Sequence, residues 1–337
     1  MSIDLSTTWL GLSLKHPIFP GASPLVDDLD AVKRLEDAGA SAITMRSLFE
    51  EQLVADQLAA HRFLDGPADA FAEAPSWLPS TGDFSLGPEA YLEQIRKIRQ
   101  TVNVPVIGSL NGTTPGGWLK YAKLIEQAGA NALELNLYDL PSDPKLSAAD
   151  VEHQQLDVIR QVQESIKIPV GVKLSPFYSS LPAFVSKVEH AGVAGVVLFN
   201  RLYQPDIDVE TLTLKRTLHL SDRHELQLRL RWLAILSPQT RMSLACSGGV
   251  HDPLDVVKAL MAGAHVTQVV SAVLENGPQM LTLLIAGLTR FFEEHEYHSV
   301  TQLRGNMNLA RCPDPSGYER VNYVKLLASW HGMPASR

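Results

Sequence analysis

The chain has 337 residues, 45% hydrophobic and 20% charged, enough to bury a large core as one α/β barrel or as two ordinary domains. A formal net charge of −8 argues against a nucleic-acid surface, and no apolar run reaches the roughly 18 residues of a membrane span. Cys246 and Cys312 are too few for a disulfide framework, and no metal-type Cys/His spacing occurs. The opening MSIDLSTTWL lacks the basic start and apolar core of a secretory signal, so a cytoplasmic globular protein is expected.

In chain order, 7–15 reads as a small hairpin closing the bottom of a barrel, with Trp9, Leu10 and Leu12 apolar. Short apolar runs follow at 17–22, 41–44, 104–110, 132–137, 168–174, 194–199, 242–246 and 266–270. Helical periodicity falls between them at 28–38, 88–101, 116–128, 150–166, 180–191 and 253–262, and after them at 277–295. The phrase Ala-Gly-Ala or Ala-Gly-Val recurs at 38–40, 128–130, 191–193 and 262–264, each time between an amphipathic segment and an apolar run. There glycine caps a helix in the left-handed conformation, and its small neighbours let helix and strand pack closely. Eight βα units fit a (β/α)₈ TIM barrel, with the whole chain, 1–337, as one domain. A doubly wound open sheet is the alternative. Three connections, 48–87, 138–149 and 201–237, are too long for plain turns and are expected as insertions at the C-terminal face. The last alternates (DIDVETLTLKRTLHL), which suggests extra strands.

In such a barrel the ligand site forms at the strand C-termini. Those positions give Ser23, Arg46, Ser47, Ser109, Asn111, Asn136, Lys173, Asn200, Gly248, Gly249 and Ser271. Gly248-Gly249 after a strand frees backbone N–H groups to approach a phosphate. Each polar member also has a plain reading. Asn111 and Asn200 can be turn formers, Arg46 a solvated loop residue, and Lys173 half of a core salt bridge with Glu134. Together, a phosphate cup and a lysine among asparagines suit flavin mononucleotide, because a cation at the flavin N1/O2 edge stabilises the reduced ring.

These segments resemble the dihydroorotate dehydrogenase family, closest to its soluble class 1. The carriers are Gly21-Ala-Ser-Pro, Gly39-Ala-Ser-Ala-Ile-Thr, Leu133-Glu-Leu-Asn-Leu, Val172-Lys-Leu-Ser-Pro, Phe199-Asn, Cys246-Ser-Gly-Gly-Val and Gln268-Val-Val-Ser-Ala. The resemblance implies FMN, with Lys173 at the N1/O2 edge, Ala22 and Ser23 along the ring, and Gly248, Gly249, Ser271 and Ala272 on the phosphate. It also implies Asn136 and Asn200 facing flavin and substrate. Arg46 stands where a flavin-contacting lysine usually occurs, with Ser47 beside it, and Asp139 takes the place of the catalytic Cys or Ser in ELNLYDLPSD. Tyr138 and Asp143 are rival bases on the same loop. Ser85 replaces a loop asparagine, and Arg201 follows Asn200. The candidate substrate contacts are Arg46, Asn111, Asn136, Asn200 and Arg201.

The implied reaction is oxidation of dihydroorotate to orotate in pyrimidine biosynthesis. Its acceptor is open, with fumarate implied by the soluble class, and relatives suggest a homodimer. A flavin oxidoreductase with another substrate, a flavin-binding partner without turnover, and an aldolase using Lys173 as a Schiff base are alternatives. The acidic balance disfavours an RNA-directed relative such as dihydrouridine synthase.

Overall fold

A computed structural model describes residues 3–50, 88–112, 114–215 and 217–329. Strands β1 (Thr7–Trp9) and β2 (Leu12–Leu14) pair antiparallel, Thr7 opposite Leu14, as the expected hairpin. Its turn residue Leu10 is 1% exposed and donates its N–H to Ser243 Oγ at 3.1 Å. The Leu10 side chain lies over Gly171 and Gly195, where a Cβ would come within 2.9 and 2.8 Å of it. The hairpin therefore plugs one end of the barrel. Leu10→Ala should lower unfolding free energy by about 3 kcal/mol, a transfer loss plus a cavity, read as a reduced urea midpoint at unchanged slope.

The barrel strands are β3 (Ile18–Pro20), β4 (Ile43–Thr44), β6 (Val106–Asn111), β7 (Ala132–Asn136), β8 (Val170–Leu174), β9 (Gly195–Leu198), β12 (Ser243–Ser247) and β13 (Val266–Val269). The short β5 (Leu48–Phe49) adds to the end of β6, and β10 (Asp206–Asp208) with β11 (Thr213–Lys215) forms a separate hairpin. All barrel neighbours are parallel, in the order β3-β13-β12-β9-β8-β7-β6-β4. The gap between β3 and β4 is bridged by Ser41, whose N–H and Oγ reach the Ile18 carbonyl at 3.3 and 2.9 Å. The sheet is a nearly closed (β/α)₈ ring rather than an open doubly wound sheet. Prolines open two strands at a position where no N–H is needed, yet the carbonyls of Pro105 and Pro169 still accept from Ile43 and Leu133 at 2.9 Å.

The helices are α1 (Leu29–Asp37), α2 (Pro88–Thr101), α3 (Pro115–Gln127), α4 (Ala148–Ser165), α5 (Leu181–His190), α6 (Leu226–Leu236), α7 (Pro253–Ala262), α8 (Ser271–Asn276), α9 (Gln279–Glu294), α10 (Val300–Leu303) and α11 (Asn322–Ala328). Among the described residues, no helix is long and apolar enough to cross a membrane. The recurrent glycines do end helices at positive φ, as Gly39 shows at 105°, with the Ala40 N–H returning to Leu35 at 2.9 Å. Two expectations need correction. The connection 201–237 carries the expected strands but also α6, which alternation alone does not reveal. The segment 277–295 is preceded by a separate turn of helix, α8, because Gly277 at φ 79° and Pro278 break the run. Most of the connection 48–87, including Ser85, lies outside the described residues.

His16, 6% exposed, links the hairpin to the first βα unit. Its Nδ1 accepts from Ile18 N–H at 3.3 Å, so Nε2 carries the proton that meets Gly39 O at 2.7 Å. The imidazole is fixed neutral, and burial pushes its pKa down to about 4. Since the free imidazole titrates near 6.5, the unfolded chain binds a proton first on acidification. This contribution is complete above about pH 6.5 and is lost as pH falls towards 4, costing up to about 3 kcal/mol. Urea unfolding at pH 7.5 and 4.5 should show that loss, and His16→Gln should flatten it.

Candidate active site

The strand C-termini surround a cavity of about 500 Å³. Ala22 and Ser23 enter it after β3, Arg46 and Ser47 after β4, and Asn111 from the last position of β6. Asn136 ends β7, Lys173 lies within β8, and Asn200 and Arg201 follow β9. The parallel register sets Asn136 beside Lys173. The cavity thus gathers these candidates from six successive barrel segments. Pro24, Phe49, Tyr138 and Tyr203 complete the lining; of these only Tyr138 was singled out from sequence.

The amide of Asn136, 3% exposed, donates to Ser47 Oγ at 2.6 Å and Ser109 Oγ at 2.8 Å. Those hydroxyls also meet each other at 2.8 Å, and the Tyr91 hydroxyl donates to the Ser109 carbonyl at 2.9 Å. Burial raises the Tyr91 phenol well above its ordinary range, keeping it a neutral partner. This network fixes the amide plane and leaves its oxygen without a protein donor among the described residues.

Among the described residues, each of the cavity's cations pairs with an acid. Arg46 bonds Asp27 at 3.2 Å, and Arg201 bonds Glu225 at 3.2 Å while lying 5.4 Å from the centre of the Tyr203 ring. Lys173, 7% exposed, has its Nζ 3.5 Å from Glu134 Oε1. The core-salt-bridge reading of Lys173 is therefore real, yet it coexists with a place in the cavity wall. Glu134 is 1% exposed and its second oxygen accepts from Gln268 Nε2 at 2.6 Å. A single long contact leaves ammonium hydrogens for a ligand, and a buried ammonium needs such acceptors. One Arg201 nitrogen, Nη1, is buried without a hydrogen-bond partner among the described residues.

Gly248, Gly249, Ser271 and Ala272 do not line this cavity. They belong to a buried cluster beside it, with residues that sequence reasoning missed. Gly249 N–H donates to Ser221 Oγ at 3.2 Å, and that hydroxyl meets Ser271 Oγ at 2.7 Å. Both glycines have positive φ, 93° and 80°, and a Cβ on Gly249 would lie 2.5 Å from the Leu226 backbone nitrogen. Only glycine fits beneath the start of α6. Arg229, 5% exposed, covers Gly248 and donates Nε to the Ser247 carbonyl at 2.9 Å, with Glu225 as its ion-pair partner at 3.2 Å. One signal was Asp222, whose side chain caps the 3₁₀ turn Arg223–Glu225 that leads into α6, but the Leu-x-Leu-x-Leu alternation hid the helix itself.

Asp139 is exposed and lines two other clefts, one of them with Leu140 and Tyr178, rather than the cavity at the strand ends. Tyr138, half-buried, is the member of that loop facing the cavity; Asp143 is exposed. Among the described residues no group of His, Cys, Asp and Glu is arranged to hold a metal ion. Cys246 is a buried hydrophobe whose thiol burial pushes up to about 12.

A chain of Aeropyrum pernix provisionally named dihydroorotate dehydrogenase A (fumarate) is 26% identical over 317 residues, covering 90% of this chain and 97% of the relative. The catalytic subunit of dihydroorotate dehydrogenase B (NAD(+)) from Endomicrobium trichonymphae is 27% identical over 321 residues, covering 91% and 98%. Its counterpart from Thermoplasma volcanium is 25% identical over 316 residues, covering 90% and 98%. The family model for dihydroorotate dehydrogenase matches residues 4–292, which hold the whole ring of strands and every residue of the cavity, so the chain belongs to the dihydroorotate dehydrogenase family.

Proposed function

We propose that this chain is an FMN-dependent dehydrogenase oxidising dihydroorotate to orotate. The observation that carries the reading is the convergence of Lys173, Asn111, Asn136, Asn200, Arg46 and Arg201 on one cavity of a chain in this family. FMN suits the residues present. Lys173 keeps hydrogens free for the N1/O2 edge, and Ala22 and Ser23 offer a small wall for the ring. The glycine pair with Ser221 and Ser271 gathers N–H and O–H groups, bonded to one another, that a phosphate would take over where a Cβ cannot stand. Bound FMN supplies the sink for the hydride that leaves substrate C6. The chain's own residues do the rest. Lys173 holds positive charge where negative charge accumulates, and the amides of Asn111, Asn136 and Asn200 orient the substrate ring through its N–H and C=O groups. Arg46 and Arg201 face its carboxylate. Asp139 takes the C5 proton after the 138–147 loop turns over the cavity, and Tyr138 lies against the substrate.

This reading includes a single domain over 1–337, a cytoplasmic homodimer and fumarate as acceptor. The NAD(+) in the names of two relatives supports a second acceptor reading, in which electrons leave through a partner subunit. Anaerobic mixing of the purified protein with dihydroorotate should bleach the flavin absorption on the turnover timescale, and subsequent fumarate should restore it. A colourless protein that refuses FMN would overturn the cofactor. A yellow one that dihydroorotate leaves oxidised would overturn the substrate. Reoxidation by NAD(+) with a partner subunit, but not by fumarate, would transfer the acceptor to the second reading.

A further inference from the structure

At the opposite end of the barrel from the candidate active site lies a second cavity of about 310 Å³. Its walls are the connections entering β12 and β13, with Arg241 and His265, and the stretch after α9, with Arg304, Asn308 and Arg311. Among the described residues no acidic side chain lines it, and none of the three arginines forms an ion pair. The acid beside it, Glu189, is already occupied by Thr240 Oγ1 at 3.0 Å and the Arg241 backbone N–H at 2.8 Å. Burial alone acts on Arg304, drawing its guanidinium down from its ordinary range with no carboxylate to oppose it. His265 is neutral there, since Nδ1 accepts from Leu244 N–H at 3.1 Å and Nε2 carries its proton as a donor. The Asn308 amide, 7% exposed, bonds Ser237 Oγ at 3.1 Å. A partly buried guanidinium without an anion is costly, and guanidinium forks match the oxygens of a tetrahedral oxyanion.

We propose that this cavity binds a small phosphate monoester through its phosphate, with Arg304 at the centre and Arg241 and Arg311 at the mouth. The placement is firm. Gly305 N–H bonds Leu260 O at 2.9 Å, Met307 N–H bonds Met261 O at 3.0 Å, and Leu309 N–H bonds Ala234 O at 3.0 Å. These bonds seat the arginine-bearing stretch under the C-terminal ends of α6 and α7. Residues 304–311 lie beyond the family match at 4–292, whereas Arg241 and His265 lie within it. Arginine at the floor of such a barrel is also far from the rim where chemistry occurs.

The test is calorimetric titration of the flavin-loaded protein with inorganic phosphate and with a nucleoside 5′-monophosphate, at constant ionic strength in chloride. Saturable binding is expected, about tenfold weaker or more in Arg304→Gln and in Arg311→Ala. Arg311 is exposed, so its variant keeps the test valid if Arg304→Gln fails to fold. Any phosphate bound at the glycine pair would be unaffected by either change. Absence of saturable binding, equal affinity in the wild type and Arg311→Ala, or tighter binding of a single-stranded oligonucleotide than of either probe would overturn the proposal.

Discussion

Replacing Lys173 by methionine is expected to cost the protein both stability and flavin. The ammonium is 7% exposed and neutralises Glu134, itself 1% exposed, across 3.5 Å. Removing it leaves a buried carboxylate whose remaining described partner is Gln268 Nε2 at 2.6 Å. Breaking a buried pair in this one-sided way costs roughly 3–5 kcal/mol, far more than the pair contributes against an apolar substitute. A second variant separates the two roles of the lysine. Lys173→Met with Glu134→Gln has no stranded charge, and its amide still meets Gln268, so most of the lost stability should return. Flavin affinity should not return, because the cation on the cavity wall remains missing. Urea midpoints and flavin fluorescence titration on both variants check this. Recovery of flavin binding along with stability would reduce Lys173 to a core ion pair and remove the main electrostatic argument for the cofactor.

The ring of strands was legible because each strand is a short, fully buried run, and all but β12 are entered by a proline or by the Ala-Gly cap of the preceding helix. Such runs have no other economical place in a βα chain. Strand-end positions converge by topology, which is why residues as distant as Ala22 and Arg201 line one cavity. Two things were not legible. Helix α6 reads Leu-Gln-Leu-Arg-Leu-Arg at its start, a period of two that masks the helical stripe Leu226, Leu233 and Ala234; one of those polar positions, Arg229, is itself buried over Gly248. Local pattern cannot show a polar residue recruited inward by a partner on another strand. The direction of Asp139 was hidden for a different reason. Tyr138 N–H bonds the Asn136 carbonyl at 2.9 Å, a tight turn that ends the inward and outward alternation of β7. Beyond Asn136, spacing from the strand no longer says which side chain faces the cavity.

That turn makes the loop the place where the mechanism is most exposed to test. Asp139→Asn is expected to slow anaerobic flavin reduction by dihydroorotate roughly 10²–10⁴-fold, with flavin content and unfolding midpoint unchanged. An ordinary carboxylate is already ionised at neutral pH and an ordinary phenol is not, so the aspartate chemistry suits a proton acceptor better than the tyrosine chemistry. Reaching the substrate requires the loop to turn, and little opposes it. Residues 139–147 are exposed, and the hydrogen bonds within 139–146 are local, such as Lys145 N–H to Asp143 Oδ1 at 2.9 Å. No hydrogen bond fixes the Asp139 carboxylate among the described residues. Tyr138 already lines the cavity, so Tyr138→Phe keeps the ring and should weaken substrate binding while slowing flavin reduction less than about tenfold. Stopped-flow traces at saturating dihydroorotate separate the two outcomes. If Tyr138→Phe carries the large loss and Asp139→Asn reduces at the parent rate, the proton leaves through the phenol and the aspartate serves the loop's surface alone.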